Sequence, residues 1–303
     1  MKTYYIILLG LLTSCEILDV SPNIKTDATV IEDSSTTQSL PSQTSFVETS
    51  GVKLEYEYRQ DITYGSNGLQ NFDIYLPKNQ TAKVPVIILL HGGGWSEGDK
   101  SFIHPMVQYL QQKNVKCAIV NANYRLTFQT GITYKEQLSD IESIIKKLQS
   151  NANLYNITPT FFITGISAGS HLGMLYAYTS NNTAIKAVGG IVCPVDLTSS
   201  QMRQGRMETD ITKLVGKPYE EKNIEEYRKA SPYYQATRNS APTILFYGGS
   251  DSTVLKEQGD KINAKLKELN VTQEYYFYQE QSHNWSRLSE TLDKMIVFAD
   301  KYI

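Results

Sequence analysis

The stretch 161-FFITGISAGSHLG-173 decides how the rest of the chain is read. It opens as an apolar, strand-prone run and closes in a helix-like pattern. At the change stands Ser167, with Gly165 two residues before it and Gly169 two residues after. A G-x-S-x-G turn between a strand and a helix is the setting that lifts a serine hydroxyl clear of a sheet. The demand is steric: the serine takes a strained backbone, the residues on either side approach each other, and only small ones fit. Alone the pentapeptide is weak evidence, because glycine and serine are common and a plain glycine-rich turn looks the same. Its surroundings must decide.

A second glycine cluster lies upstream. Residues 84–90, VPVIILL, form a continuous apolar run of the kind buried on both faces of a sheet, and 91-HGGGW-95 follows directly. Backbone without side chains can approach a ligand closely and aim N–H groups at a developing oxyanion. With HGGGW at 91–95, NYR at 123–125 and GISAG at 165–169, the chain resembles the α/β-hydrolases, and among them the carboxylesterases whose oxyanion loop reads HGGG. The resemblance covers most of residues 52–303. It implies an α/β-hydrolase fold, a serine acyl-transfer mechanism with no cofactor, and an oxyanion hole made by the backbone N–H groups of Gly93, Gly94 and Ala168. The HGGGW followed by EGD at 97–99 leans toward the branch that removes acetyl or feruloyl groups from plant polysaccharides. That branch also holds aryl formamidases, and a short-chain lipid esterase is a further reading.

A serine nucleophile needs a base, and the chain has four histidines. His91 belongs to the glycine loop, and His104 comes too early for the chain order Ser, acid, His. His171, one turn along the helix after Ser167, is poorly directed and reads as packing. His283, in QSHNW at 281–285 between a strand and the last helix, remains as the base, although the resemblance leads one to expect glycine where Asn284 stands. Asp251, in YGGSDSTV at 247–254, follows a strand and is the candidate acid, with Asp196 in CPVD at 193–196 as its rival. Either aspartate could instead cap a turn. Trp95 and Trp285 flank these motifs and are candidates for the acyl pocket, while Glu97 and Asp99 read as loop-organising. A chain lacking the serine or histidine would read as a binding protein on a hydrolase scaffold; here Ser167, Asp251 and His283 are all present.

The remaining pattern supports an α/β class. Strand patterns at 53–59 and 71–76, joined across YGSNG at 64–68, suit an antiparallel start. Apolar strand runs at 84–90, 116–123, 161–164, 187–193, 243–247 and 274–278 then alternate with helical patterns, the clearest at 134–150 with Leu138, Ile141, Ile145 and Leu148. Such alternation predicts a mainly parallel sheet flanked by helices, with reactive groups at the carboxyl ends of its strands. Residues 197–231 break the alternation and read as a small cap insertion.

Composition sets the outer bounds. The 303 residues carry a net charge of −2 without a basic cluster, which argues against nucleic acid. No His/Cys/Asp/Glu group has metal-ligand spacing. Lys2, an apolar run at 4–12 and LTSC at 12–15 resemble a lipoprotein signal peptide of residues 1–14, with Cys15 as the lipid-bearing first residue of an exported, membrane-anchored chain. Residues 15–50, rich in Ser, Thr, Gln and Pro, predict a flexible tether ahead of a hydrolase domain at 51–303. Cys117 and Cys193 lie in or beside apolar runs and read as two buried thiols, although an exported protein could pair them.

Overall fold

The computed structural model describes residues 53–303. The expected leader, Cys15 and the expected tether lie outside the described residues. An antiparallel pair, β1 (Tyr56–Thr63) and β2 (Asn71–Pro77), comes first, followed by β3 (Val84–Leu90), α1 (His104–Gln112), β4 (Ala118–Ala122) and α2 (Tyr134–Ser150). Next are β5 (Ile157–Gly165), α3 (Ala168–Thr179) and β6 (Ile185–Ile191). The segment after β6 holds α4 (Gly205–Val215), α5 (Ile224–Lys229) and α6 (Pro232–Gln235). The chain closes with β7 (Thr243–Gly248), α7 (Lys256–Glu268), β8 (Gln273–Tyr278) and α8 (Leu288–Ala299).

The strands make one sheet in the order β1-β2-β4-β3-β5-β6-β7-β8. β1 and β2 are antiparallel to their neighbours, and every pairing from β4 to β8 is parallel. This is the α/β-hydrolase fold that the resemblance implied, built on the mainly parallel sheet expected from the strand and helix pattern. The chain runs from β3 outward to β4, then returns to place β5 on the other side of β3. The order therefore reverses between β3 and β5, the place where an open parallel sheet forms a crevice. The loops after β3 and β5, HGGGW and GISAG, border that crevice.

The central strands are largely apolar because helices cover both faces. Ile87, Leu89, Phe162 and Thr164 face Leu110 of α1 and Leu292 and Met295 of α8. The alternate residues Leu90 and Ile163 face α3, close to Gly173. On α2 the buried stripe differs from the expected one: Leu138 is half-buried, and Gln137 and Asp140 are buried beside Ile141, Ile144, Ile145 and Leu148. Two polar groups on a core-facing stripe need partners, and both find them near the site. Asp140 accepts from the Arg125 guanidinium, the Arg125 backbone N–H and Gln70. β5 starts at Ile157, earlier than its apolar run, because Ile157 continues the ladder against Val84. Cys117 and Cys193 are free, buried thiols, and burial pushes both pKa values up.

Candidate active site

Ser167 is the hinge between β5 and α3. Its backbone sits at φ 54° and ψ −118°, a region that a non-glycine residue enters only under constraint. Its N–H is tied to Ile191 O at 2.9 Å, and its carbonyl accepts from His171 N at 3.0 Å. The two glycines have a reason beyond their mutual approach. A Cβ on Gly165 would stand 2.3 Å from Leu90 O and 2.9 Å from Gly169 C, and one on Gly169 would stand 2.2 Å from Leu90 O. The elbow is pressed against the end of β3. Ser170, one residue on, is fully buried; its hydroxyl lies 2.6 Å from Gly165 O and accepts from Ile191 N at 3.0 Å. A hydroxyl here adds a clamp between β5 and β6.

The elbow aims the Ser167 hydroxyl at His283, with Oγ 3.1 Å from Nε2. The other ring nitrogen, Nδ1, lies 2.9 Å from Asp251 Oδ2. A carboxylate only accepts, so Nδ1 carries the hydrogen, and Nε2 is left to accept from the serine O–H. Asp251 is 3% exposed, and its Oδ1 accepts from the N–H groups of Thr253 and Val254, each at 2.8 Å. The aspartate is thus held by the turn after β7, and the histidine by the loop after β8. The three side chains come from the carboxyl ends of β5, β7 and β8. Asp196 is not part of this chain of contacts. It is buried after β6, accepts from Thr198 and pairs with Lys261 on α7.

The loop after β3 faces Ser167. Gly93, Gly94, Ser167 and His283 line one cleft together with Phe102, Met207 and Asp210. Gly93 and Gly94 have φ of 121° and 54°, which glycine adopts without penalty. Among the described residues, no turn or loop hydrogen bond uses the N–H of Gly93, Gly94 or Ala168 as donor. Gly93 O instead accepts from Ser96 N and Glu97 N, closing the loop on itself. Ala168 is the first residue of α3, where backbone N–H groups lack helical partners. Residues from the segment expected as a cap lean over this loop. Arg206 of α4 meets Glu97 at 2.7 Å and Asp210 at 3.3 Å, and Ser96 Oγ reaches Asp210 at 3.4 Å.

Both tryptophans proposed for the acyl pocket sit elsewhere. Trp95 is 0% exposed, with its indole N–H donated to His171 Nδ1 at 3.0 Å. Its positive φ of 60° turns the side chain inward beneath the glycine loop. Trp285 is half-buried and packs edge-on against Tyr278, with its N–H on Thr291 Oγ1 at 2.8 Å. Neither ring lines the cleft. An indole carries one donor that must be satisfied when buried, and in both cases the donor found its partner away from the cleft. Asn284, where glycine was expected, is exposed and on the cleft wall.

Several supporting residues escaped the sequence reading. Tyr124 stacks on His91 at 4.4 Å between ring centroids and donates its hydroxyl to His91 O at 2.7 Å. Asn123 donates to Asp99 Oδ2 and accepts from Lys100 N, tying the strand end after β4 to the loop after β3. Gln137 spans Trp95 O at 2.9 Å and Arg125 O at 2.8 Å. Lys100 is buried between Asp61 and Asp73, with Asp61 delivered by a bulge in β1. Asp99, expected to organise the loop, accepts from Ser101 N and Asn123, whereas the Glu97 carboxylate pairs with Arg206 of α4. The NYR motif was a usable signal for Asn123 and Tyr124. For Gln137 the signal was a polar residue three before Asp140 on one face of a helix.

The family described as BD-FAE matches residues 72–266 of the chain. Among curated relatives, Esterase LipC of Mycobacterium tuberculosis is 24% identical over 237 residues, which is 73% of this chain and 58% of the relative. Probable carboxylic ester hydrolase LipM of the same organism is 26% identical over 232 residues, 71% of this chain and 53% of the relative. The chain thus spans little more than half the length of these proteins. Among solved structures, a truncated carbohydrate esterase from gut microbiota aligns with a TM-score of 0.71 at 20% identity, over 85% of this chain and 97% of that one. Esterase B from Lactobacillus rhamnosis aligns with a TM-score of 0.68 at 19% identity, over 82% and 87% of the two chains. Likeness at these identities is one of fold.

Proposed function

The chain belongs to the BD-FAE family, and from that premise we propose that it is a serine hydrolase of carboxylic esters, acting on acetyl or feruloyl groups carried by plant polysaccharides or their fragments. The observation that carries the proposal is the continuous chain of contacts from Ser167 Oγ through the His283 ring to Asp251, at 3.1 and 2.9 Å. His283 Nε2 takes the serine proton as Oγ attacks the acyl carbon. Asp251 holds the Nδ1–H tautomer and stabilises the imidazolium that forms. The carbonyl oxygen gains charge and accepts from the N–H groups of Gly93, Gly94 and Ala168. Loss of one such donor typically lowers turnover by about 10²–10³-fold. The histidine then gives its proton to the leaving alcohol. Water repeats the sequence on the acyl-enzyme, with Nε2 taking the water proton and Ser167 leaving as the alcohol.

The substrate class draws support from the cleft walls and from relatives. Phe102, 68% exposed, lines the same cleft as Ser167, together with the apolar Ile103 and Met207 and the polar Gln204, Arg206 and Asp210. An exposed ring next to polar side chains suits a sugar face or a feruloyl ring. Most of the relatives are named esterases, and one structural neighbour is a carbohydrate esterase. The proposal includes lipid attachment at Cys15 and an exported, membrane-anchored location.

Full-length protein and its Ser167→Ala variant should be compared on nitrophenyl esters of graded chain length, acetylated and feruloylated xylan, and formylated aryl amines. Activity on the esters that vanishes in the variant is expected. No activity above the variant on any substrate would overturn the hydrolase reading, and activity confined to the formyl amides would replace esterase by amidase. Release of Cys15→Ala protein from the membrane fraction is the outcome expected for the anchor.

A further inference from the structure

His171 takes no part in the proposed reaction, yet it is fully buried one turn after the nucleophile. Each ring nitrogen has its own partner. The Trp95 indole N–H donates to Nδ1 at 3.0 Å, and Nε2 lies 2.7 Å from the carbonyl of Ala230. An indole N–H only donates and a carbonyl only accepts. The ring is therefore neutral, with its single hydrogen on Nε2. Burial pushes the His171 pKa down to about 4, which keeps the ring in that form at neutral pH. The indole meets the imidazole edge-on, at 5.1 Å between centroids and 80° between planes.

The two partners belong to different parts of the site. Trp95 ends a run of three consecutive residues with positive φ, at 121°, 54° and 60° for Gly93, Gly94 and Trp95. For a tryptophan that conformation is strained and persists only where neighbours impose it. The Trp95 carbonyl is held by Thr127 N and Gln137, each at 2.9 Å, and the indole N–H by His171. Ala230 caps the C-terminal end of α5, in the segment whose α4 reaches the cleft through Arg206, Met207 and Asp210. One imidazole, four residues after Ser167, thus touches the glycine loop on one side and the segment over the cleft on the other.

We infer that His171 is a positioning residue. Its Nδ1 sets the glycine loop against Ser167 through Trp95, and its Nε2–H anchors the 197–231 segment through Ala230. The inference rests on the reading of the site as a serine hydrolase. A loop that receives charge only as the oxyanion forms acts on turnover more than on substrate affinity. Loosening the Trp95 contact therefore lowers kcat and leaves KM nearly unchanged.

Full-length wild type, Trp95→Phe, His171→Gln and His171→Asn should be compared for kcat and KM on nitrophenyl acetate. Competent sites should be counted by the nitrophenol burst, so that misfolded protein drops out. Trp95→Phe removes one N–H and keeps a ring. Glutamine places its amide near the Nε2 position and leaves the indole without an acceptor. Asparagine places an oxygen near the Nδ1 position and restores that acceptor. The expected result is a fall of about tenfold in kcat for Trp95→Phe and His171→Gln, the rate equivalent of roughly 1.4 kcal/mol, with KM within about twofold. His171→Asn is expected to recover kcat severalfold above His171→Gln. Full per-site kcat in Trp95→Phe and His171→Gln, or equal losses in both histidine variants, would overturn the inference. A wild type indistinguishable from Ser167→Ala would instead overturn the hydrolase reading beneath it.

Discussion

Gly169→Ala tests the geometry of the elbow most directly. The added methyl would stand 2.2 Å from Leu90 O and 2.5 Å from His91 O, both backbone atoms at the end of β3. Neither obstacle is the tip of a flexible side chain. Restoring ordinary contact takes a retreat of roughly 1 Å by β3 or α3, and displacement on that scale at a reacting centre can cost about 10²-fold in rate. Overpacking of this kind typically costs about 1–3 kcal/mol in stability. Gly173→Ala, one turn further on the same helix, is the control. Its methyl would be 2.9 Å from Ile163 Cγ2, a side-chain atom rather than the backbone at the end of β3. Urea unfolding followed by circular dichroism gives the stability of each variant, and kcat on nitrophenyl acetate gives the rate. Gly169→Ala is expected to lose about 10²-fold in kcat beyond any loss in Gly173→Ala. A Gly169→Ala protein with wild-type kcat and unfolding midpoint would refute the account of why the elbow needs glycine.

Asp251→Asn is expected to lower kcat by about 10⁴-fold at neutral pH with the fold intact, because an amide no longer enforces the Nδ1–H tautomer; steady-state kinetics and circular dichroism check it together. Ser170→Ala leaves the buried Ile191 N–H without its acceptor, and a loss of about 1–3 kcal/mol in unfolding free energy is expected. Asp140→Ala strips Arg125 of its buried carboxylate, for a loss of about 3–5 kcal/mol by the same measurement. His171 titrates near 6.5 when unfolded and about 4 when folded. Between those values the unfolded chain binds a proton that the folded chain refuses, so its contribution to stability falls as pH drops from about 6.5 to about 4, by roughly 3 kcal/mol in all. Unfolding midpoints at pH 7 and pH 4.5 should show a smaller gap in His171→Asn than in wild type.

The readable parts of this protein share a property. Gly165, Ser167 and Gly169 lie within five residues, and HGGGW follows an apolar strand, so each motif declares itself through local chain geometry. His283 and Asp251 are far apart in sequence, yet each follows a strand. In a parallel sheet with helical crossovers, strand ends converge on one edge, and the order of strands pointed to both as candidates. The choice of Asp251 over Asp196 could not be made that way alone, since both follow strands. The imidazole separates them: Asp251 Oδ2 lies 2.9 Å from His283 Nδ1, whereas Asp196 pairs with Lys261 of α7.

The tryptophans mark the opposite case. Trp95 and Trp285 stand beside functional motifs, which pointed to the cleft. Their orientation depends on a positive φ at Trp95 and on acceptors supplied by His171 and Thr291, and neither is visible in a single sequence. The same holds for Gln137, whose partners Trp95 and Arg125 lie 42 and 12 residues away. What the amino-acid sequence determined was the alternation that builds the sheet, the two glycine-bearing turns at its switch point, and the candidates Ser167 and His283. These follow from short-range sterics and from the direction of strands. Only the tertiary structure decided which side chains hold the glycine loop, which aspartate meets the imidazole, and which histidine joins Trp95 to Ala230. Those depend on the pairing of single donors with single acceptors across the core, which no local pattern records.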